Sequence, residues 1–295
     1  MPHDTILIIR PGALGDTILT LPLVASIQAK NPDCPITFLG NRACKDLFPA
    51  SVAFQPFDDP AWLWLFNLEH AAMPDTVQRI DRAYAILSRP EDVVRNLRRA
   101  GVRSVLQCPA HPGPGQHMVE YLHEALELTV PAREPALIDL APVNKKDFIW
   151  IHPGSGGASK CLPLEIMYEL AIHLAELTGW NLMVSAGEED AFVKRNPLWK
   201  SLIETDAASV MVQRPLKDLC AEFGAARLFL GNDSGIAHLA AALGVPSAVF
   251  FLKSDPVNWG PWVPDNQVRI IDVRGEDVAK FAIDTELSRI ESLLR

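Results

Sequence analysis

The chain has 295 residues, 48% of them hydrophobic and 21% charged, and a formal net charge of −9; at about 150 residues per domain, this length predicts two domains. The acidic balance argues against a nucleic-acid-binding protein, because such proteins need a basic surface. Apolar runs fall short of the roughly 18–20 residues of a membrane helix, and the scattered cysteines indicate reduced thiols in a cytoplasmic protein.

Strands and helices alternate along the sequence. The predicted strands are short apolar runs without regular alternation, which is typical of strands covered on both faces. They span residues 6–10, 36–39, 104–108, 148–152, 181–186, 209–213, 228–231, 247–252 and 268–273. Helical patterns lie between them, at residues 17–30, 91–100, 116–128, 164–178, 216–225, 235–243 and 278–294. This order predicts an α/β fold built from βαβ units with parallel sheets.

A proline-containing segment, residues 131–147, divides the chain and predicts domains 1–145 and 146–295. The second part begins as the first does, since "IWIHPG" resembles "LIIRPG" in running from a strand through a basic residue into Pro-Gly. This similarity predicts two Rossmann-like halves that face each other. Within the poorly patterned residues 59–90, "WLWLF" favours buried core over an exposed apolar patch.

The segment "RPGALGDTILTLP" ends a predicted strand and opens a predicted helix. Asp16 lies at the helix N-terminus, where the helix dipole favours a negative charge. A carboxylate in this position could accept a proton from a sugar hydroxyl as a general base, or it could serve only as a helix cap. Arg10, at the carboxyl end of the strand, could hold an anionic group of a second substrate.

The segment "HPGSGGASKCLP" also follows a predicted strand. Its glycines let backbone N–H groups approach a ligand, its serines donate hydrogen bonds, and Lys160 adds a positive charge, all of which suit a diphosphate. It is not a P-loop, because Cys161 stands where a serine or threonine would bind magnesium. The alternative is a plain surface loop.

The segment "LGNDSGIAHLAAALGVP" runs from a strand into a helix of small residues. Ser234 is expected to cap this helix, whose N-terminus offers free N–H groups to an anion. Asp233, at the carboxyl end of the strand, is expected to accept hydrogen bonds from sugar hydroxyls. His238 is either a ligand-binding residue or a partly buried structural histidine.

The segment "VSAGEEDAF" places acids directly after a predicted strand. Glu188 or Glu189 is well placed there to bind the two hydroxyls of a ribose. The alternative is that these acids only stabilise the first turn of a helix.

The sequence does not predict a metal site. His111, His117 and His123 recur every six residues, whereas a zinc-binding pair on a helix needs a spacing of four. The chain contains no Asp-x-Asp, the acidic metal clamp of one large class of sugar transferases. It also contains no G-x-S-x-G, which argues against a hydrolase of the nucleophile-elbow type.

Together, these segments resemble glycosyltransferase family 9, the bacterial lipopolysaccharide heptosyltransferases. The resemblance rests on "RPGALGDTILTLP", "HPGSGGASKCLP", "AGEE" and "NDSGIAHLAAALGVPSAVFF" followed by "SDPVNWGPW", which cover both halves of the chain. It implies a GT-B fold, in which two Rossmann-like domains with parallel sheets face each other across a cleft. The N-terminal domain would bind the acceptor, the C-terminal domain the nucleotide sugar, and the last helix would pack back on the N-terminal domain.

The resemblance also implies an inverting transfer that uses no cofactor and needs no metal for the chemistry. Asp16 would be the catalytic base, and Arg10 and Gly15 would contact the acceptor. Lys160 would neutralise charge on the departing ADP. The donor-binding residues that it implies are Ser155, Gly156, Lys160, Glu188, Glu189, Asp233, Ser234, Gly235 and His238.

The leading hypothesis is therefore transfer of a heptose or a related sugar from an ADP-sugar to a lipopolysaccharide core or a similar envelope glycolipid. The enzyme is expected in the cytoplasm, in peripheral contact with the inner membrane, where its lipid-linked oligosaccharide acceptor would be. A nucleotide-sugar epimerase of similar fold and a non-catalytic sugar-nucleotide-binding protein are the alternatives. In a binding protein, Asp16 would be only a helix cap.

Overall fold

The computed structural model describes residues 5–66, 80–138, 143–187, 190–204, 208–211, 216–276 and 281–294. The chain divides into two compact units, Met1–Ala132 and Arg133–Arg295. Each unit contains one parallel sheet with helices, so the α/β class that the sequence predicts is confirmed.

The sheet of the first unit has β1 at its centre. The strands are β1 (Thr5–Arg10), β2 (Ile36–Gly40), β3 (Val52–Pro56), β4 (Ile80–Ile86) and β5 (Ser104–Cys108). The helices are α1 (Leu14–Lys30), α2 (Glu91–Arg99) and α3 (Met118–Ala125), with 3-10 helices at Arg42–Leu47 and Pro60–Leu65. The strand order is β3-β2-β1-β4-β5, and every pairing is parallel.

The sheet of the second unit has β9 and β6 at its centre. The strands are β6 (Phe148–His152), β7 (Asn181–Ser185), β8 (Ala208–Met211), β9 (Leu228–Asn232), β10 (Ser247–Phe251) and β11 (Val268–Asp272). The helices are α4 (Leu164–Thr178), α5 (Ala191–Arg195), α6 (Pro197–Glu204), α7 (Leu216–Ala225), α8 (Gly235–Ala242), α9 (Pro256–Trp259) and α10 (Ile283–Glu291). The order is β11-β10-β9-β6-β7-β8, again with parallel pairing throughout.

Strands β3 and β4 are not predicted from the sequence pattern. In β3, Ala53 and Gln55 are exposed, so this edge strand lacks a continuous apolar run. β4 carries Asp81 and Arg82 near its start, and these charges interrupt the apolar pattern, although the second half of the strand is buried. The central strands are predicted almost residue for residue, because they are buried on both faces.

The boundary between the units falls inside the segment predicted as a linker, but the residues from Arg133 onward belong to the second unit. Backbone hydrogen bonds explain this assignment: Leu137 and Ile138 both donate to the Ala242 carbonyl, at 2.8 and 3.1 Å. The Arg133 guanidinium also lies 4.6 Å from the centre of the Trp262 ring. Residues that the sequence places in the first domain therefore form part of the second.

The segment "WLWLF" forms most of the 3-10 helix at Pro60–Leu65. Trp62, Trp64 and Leu65 are buried in the apolar core of the first unit, which confirms the prediction of core for these residues. Leu63 and Phe66 are exposed, at 56% and 48% of their surface. A 3-10 helix has three residues per turn, so Trp62 and Leu65 lie on one face, towards the core, and Leu63 lies on another face, towards solvent.

The last helix, α10, contributes to the core of the second unit. Leu287 and Ile290 are buried there, and the helix lies against α4 and β11. The expectation that this helix also braces the first unit stays a prediction. Within the described ranges, none of the helices combines the length and the apolar composition that a membrane-spanning segment needs.

We expect Asn96→Ala to destabilise the first unit. Asn96 is 2% exposed, and its side-chain amide donates to the carbonyl oxygens of Leu65 and Trp64, at 2.8 and 3.4 Å. Truncation would leave these carbonyls without their side-chain donor and lower the free energy of unfolding by about 1–3 kcal/mol. Urea unfolding followed by tryptophan fluorescence measures this change. The control is the exposed Gln55→Ala, expected within about 0.5 kcal/mol of wild type; equal effects of the two variants would contradict the prediction.

Candidate functional site

Two loops meet at the carboxyl edge of the second sheet, because β6 and β9 are neighbours there. The chain continues from β6 to β7 on one side, whereas β9 and β10 lie on the other, so the strand order reverses between β6 and β9. Open α/β sheets bind ligands at such a reversal, outside the carboxyl ends of the strands. The loop after β6 carries Ser155 and Lys160, and the loop after β9 carries Asp233.

Asp233 is the centre of a group of side chains that we name the Asp233 cluster, formed by Ser155, Lys160, Asp233, His238 and Ser254. The Ser155 hydroxyl donates to the backbone carbonyl of Asp233 at 2.7 Å, and the Ser254 hydroxyl donates to carboxylate oxygen Oδ2. Lys160 Nζ lies 4.0 Å from Oδ2, and His238 Nε2 lies 3.9 Å from Oδ1. The structure thus brings four separately predicted side chains together and adds Ser254, which follows β10 and which the sequence analysis did not select.

The cluster presents positive charge and hydrogen-bond donors to the surface. The Lys160 side chain is 43% exposed, whereas that of Asp233 is 10% exposed. Helix α8 begins beside them at Gly235, and its N-cap Ser234 accepts a hydrogen bond from the Ala237 N–H at 3.2 Å, as predicted. The first N–H groups of a helix and the positive end of its dipole attract anions. An exposed ammonium next to such a terminus is suited to a diphosphate.

A buried amide, Asn232, ties the loop after β6 to the end of β9. Its side chain has no exposed surface; Oδ1 accepts from the Leu162 N–H at 2.9 Å, and Nδ2 donates to the Pro153 carbonyl at 2.8 Å. Hydrogen bonds in apolar surroundings are stronger than in water. One side chain therefore fixes both ends of the loop that carries Ser155 and Lys160. A polar residue at the end of an apolar strand was the sequence signal for this role.

A buried carboxylate, Asp190, lies against the same loop. Its Oδ2 accepts from the Gly187 N–H at 2.8 Å, and its Oδ1 is buried without a hydrogen-bond partner among the described residues. A Cβ on Gly154 would lie 2.1 Å from Asp190 Cγ. The carboxylate therefore occupies the space that any side chain at position 154 would need.

His152, the last residue of β6, lies on the other side of Asp190. Its Nδ1 is 3.1 Å from the Ser185 carbonyl oxygen and 3.0 Å from the Ser185 hydroxyl. Burial lowers the pKa of His152, against the opposing effect of the Asp190 carboxylate. The imidazole is therefore neutral at pH 7, and its Nε2, 3.7 Å from Asp190 Oδ2, does not form a charge pair there.

In the first unit, Asp16 lies in the first turn of α1. Its Oδ2 accepts from the N–H of Ala13, the N-cap residue, at 3.1 Å, which is the acidic half of a capping box. Its Oδ1 accepts from Arg10 Nη2 at 2.8 Å. The Asp16 side chain is still 29% exposed, and a carboxylate has about four lone-pair positions. Asp16 thus caps the helix, and its carboxylate can still accept a hydrogen bond or a proton from the solvent side.

Arg10 is placed differently from the expectation that it holds an anionic group of the acceptor. The residue is 3% exposed, and its guanidinium is engaged by Asp16. The side chain is buried because Arg10 ends the central strand β1, which is covered on both faces. Gly15, the other expected acceptor contact, lies in the first turn of α1.

The histidines that the sequence analysis discounted as metal ligands have structural contacts. His117 caps α3 by accepting the Val119 N–H at its Nδ1, 3.1 Å away. His123 is buried between α3 and α1, with Nε2 3.0 Å from the Ser26 hydroxyl. In the described part of the chain, no three His, Cys, Asp or Glu residues are grouped so that they could hold a metal ion.

The predicted donor-site residues that remain are Gly156, Glu188 and Glu189. Gly156 lies in the loop after β6, and no atom is within 4 Å of the place where its Cβ would be. Glu188 and Glu189, the candidates for ribose binding, lie outside the described residues. Asp190, which the sequence analysis passed over, is the acid of that run whose packing the structure describes.

Comparison with known proteins identifies the family of sequences that this chain matches. The model of "Glycosyltransferase family 9 (heptosyltransferase)" matches residues 102–286, which include the whole Asp233 cluster but not Asp16. A comparison with curated protein sequences gives no match.

Three solved structures show the same fold. "E. coli heptosyltransferase WaaC with ADP" is 16% identical, with 98% of this chain and 99% of that chain covered and a TM-score of 0.71. E. coli "ADP-heptose lps heptosyltransferase II" is 18% identical, with 98% of each chain covered and a TM-score of 0.77. A family 9 glycosyl transferase from Veillonella parvula is 16% identical, with 100% of this chain and 98% of that chain covered and a TM-score of 0.76. The predicted GT-B class, with a Rossmann-like sheet in each unit, is confirmed.

We expect Gly154→Ala to destabilise the second unit, because the new Cβ would overlap the Asp190 carboxylate. Overpacking of this kind costs about 1–3 kcal/mol of unfolding free energy, measured by urea unfolding of the ligand-free protein. Asp190→Ala introduced with Gly154→Ala should remove most of the additional cost, because it removes the overlap.

The matched control is Gly156→Ala in the same loop, where a Cβ meets nothing within 4 Å. Its stability should lie within about 0.5 kcal/mol of wild type. A Gly154→Ala protein as stable as Gly156→Ala would contradict the packing argument.

Proposed function

Since the chain belongs to glycosyltransferase family 9 and is a glycosyltransferase, we propose that it transfers a heptose or a related sugar from an ADP-sugar. The acceptor in this proposal is a lipopolysaccharide core or a similar envelope glycolipid. The observation that carries the proposal is the Asp233 cluster, in which an exposed ammonium and a helix N-terminus flank a buried aspartate. These groups match the charge and the hydroxyls of a sugar diphosphate.

In this proposal, the diphosphate and the sugar of the donor each have partners in the second unit. The diphosphate would take the positive charge of Lys160 and the N–H groups of α8, which begins at Gly235. The sugar hydroxyls would donate to Asp233, whose carboxylate is fixed by Ser254. ADP is named with one of the similar structures and ADP-heptose with another, which supports an ADP-sugar as the donor here.

The proposed reaction is a single displacement. An acceptor hydroxyl oxygen attacks the anomeric carbon as its proton passes to Asp16, and the bond from that carbon to the diphosphate oxygen breaks. The electron pair leaves with the ADP, and attack from the face opposite the leaving group inverts the anomeric centre. Proton removal by a positioned carboxylate contributes about 10²–10⁴-fold to such a step.

Charge on the leaving ADP would be balanced by the protein itself. Lys160 and the N-terminus of α8 supply positive potential where the charge develops, and such preorganised groups stabilise transition states. We therefore propose that the chemical step needs no metal and no cofactor. Work at the cytoplasmic face of a membrane through peripheral contact is part of the same proposal, because a lipid-linked acceptor would be presented there.

We expect Asp16→Asn to lower kcat by about 10²–10⁴-fold, because the amide has no basic oxygen for the acceptor proton. Asn keeps the shape of the side chain, and its single carbonyl oxygen can accept from the Ala13 N–H, so the helix cap remains although the bond from Arg10 is lost. The measurement is ADP release with a heptose-containing donor and a truncated glycolipid acceptor, alongside calorimetric titration with ADP. ADP affinity should stay near wild type. A wild-type rate for Asp16→Asn would remove Asp16 from the role of base.

We expect ADP to bind the purified protein more tightly than UDP or GDP, with the same affinity in the presence of a chelator. Lys160→Met should weaken ADP binding by about 10- to 150-fold, since a hydrogen bond to a charged group is worth about 1.5–3 kcal/mol. The control is Lys200→Met, an exposed lysine of the second unit that pairs with Glu204 on the same helix. Tighter binding of UDP or GDP, or loss of binding with chelator, would contradict the proposed donor site.

A further inference from the structure

We infer that Arg10 is a positioning residue, which holds the Asp16 carboxylate in one orientation for proton removal from the acceptor. The inference rests on the proposed function of Asp16 as the base. It assigns Arg10 to a partner inside the protein, instead of to the substrate.

The first support is the burial of the guanidinium. The Arg10 side chain is 4% exposed and Nη2 lies 2.8 Å from Asp16 Oδ1, so a ligand cannot reach the charge without displacing Asp16. Nε is buried and has no hydrogen-bond partner among the described residues. Burial lowers the pKa of Arg10, and the Asp16 carboxylate is the largest opposing influence. Asp16 is thus what makes this buried cation tolerable.

The second support is the surroundings of the pair. Two thiols lie nearby, Cys108 towards Arg10 and Cys44 towards Asp16. Burial raises the pKa of both thiols, so they are uncharged at neutral pH and do not compete as anions for the guanidinium. The charge of Arg10 is therefore directed at Asp16.

The third support is that the helix cap alone does not require an arginine. The Ala13 N–H already binds Asp16 Oδ2, and this contact would persist with an apolar residue at position 10. A buried ion pair is seldom better for stability than apolar residues of the same volume. The distinct contribution of Arg10 is to fix the second oxygen, Oδ1.

Gly12 completes the restraint. A Cβ on Gly12 would lie 2.4 Å from Asp16 Cβ and 3.0 Å from Oδ2, so the Asp16 side chain packs directly on the backbone of this turn. With Oδ1 held by Arg10 and Oδ2 by Ala13, the carboxylate has one orientation, and its exposed edge faces solvent. A base that is fixed before the substrate arrives needs no reorganisation in the transition state.

The test is a double-mutant cycle of Arg10→Gln and Asp16→Asn. Arg10→Gln should lower kcat by about 10²-fold, the effect of a misplaced reacting group, while the KM for the donor and the affinity for ADP stay within about twofold. Arg10→Lys, which keeps the charge but not the planar fork, should recover part of the loss. The double variant should be no slower than Asp16→Asn alone, since a positioning residue has nothing to position once the base is gone.

The control is Arg42→Gln, which breaks an arginine–aspartate pair of the same unit. Arg42 and Asp58 are 63% and 71% exposed and 3.2 Å apart, so kcat should be unchanged. Thermal unfolding of each variant shows whether it is folded. Should Arg10→Gln not fold, Arg10→Met, which leaves no polar group buried at this position, takes its place in the cycle.

The outcomes separate the two claims. If Asp16→Asn is slow but a folded Arg10→Gln or Arg10→Met has wild-type kcat, the inference fails and the base assignment stands. If the two losses multiply in the double variant, Arg10 acts independently of Asp16 and the inference is again wrong. If Asp16→Asn has the wild-type rate, the base assignment and this inference fail together.

Discussion

The candidate site of the second unit depends on the buried side-chain amide of Asn232. Strands β6 and β9 place two loops at one edge of the sheet, but parallel pairing alone does not fix a loop of many glycines. Asn232 supplies that restraint, because it binds the Pro153 carbonyl and the Leu162 N–H, at the two ends of the loop. The loop is therefore held at both ends while the side chain of Lys160 stays exposed.

The two units hold a carboxylate beside a central strand in different ways. In each, an acid follows a central strand at its carboxyl end. Asp233 is held by the hydroxyl of Ser254 and lies near a lysine that stays exposed, so the cation remains accessible to an anionic ligand. Asp16 is held by a buried arginine and a backbone N–H, so the guanidinium is shielded from solvent and the carboxylate is accessible. The first arrangement suits binding of a diphosphate, and the second suits acceptance of a proton.

Residues whose role is set by local sequence were predicted well. Ser234 caps α8 as its position before a run of alanines indicates, and the buried strands follow from their apolar runs. The edge strand β3 was missed, because one face of it is exposed and its pattern is mixed. Arg10 was assigned to the acceptor because a cation at a strand end is a common anion site; its burial against Asp16 depends on the cover of the central strand, which no local pattern records.

The sequence by itself determined the α/β class, the central strands of both sheets and the segments that carry Asp16, Lys160 and Asp233, because burial on two faces and helix capping leave local patterns. Only the tertiary structure decided that Asp190 fills the space beside Gly154, and that residues from Arg133 onward belong to the second unit. These facts depend on contacts between segments far apart in the chain. Such contacts depend on how the sheet and its loops pack in three dimensions, and the local spacing of residues along the chain does not record that packing.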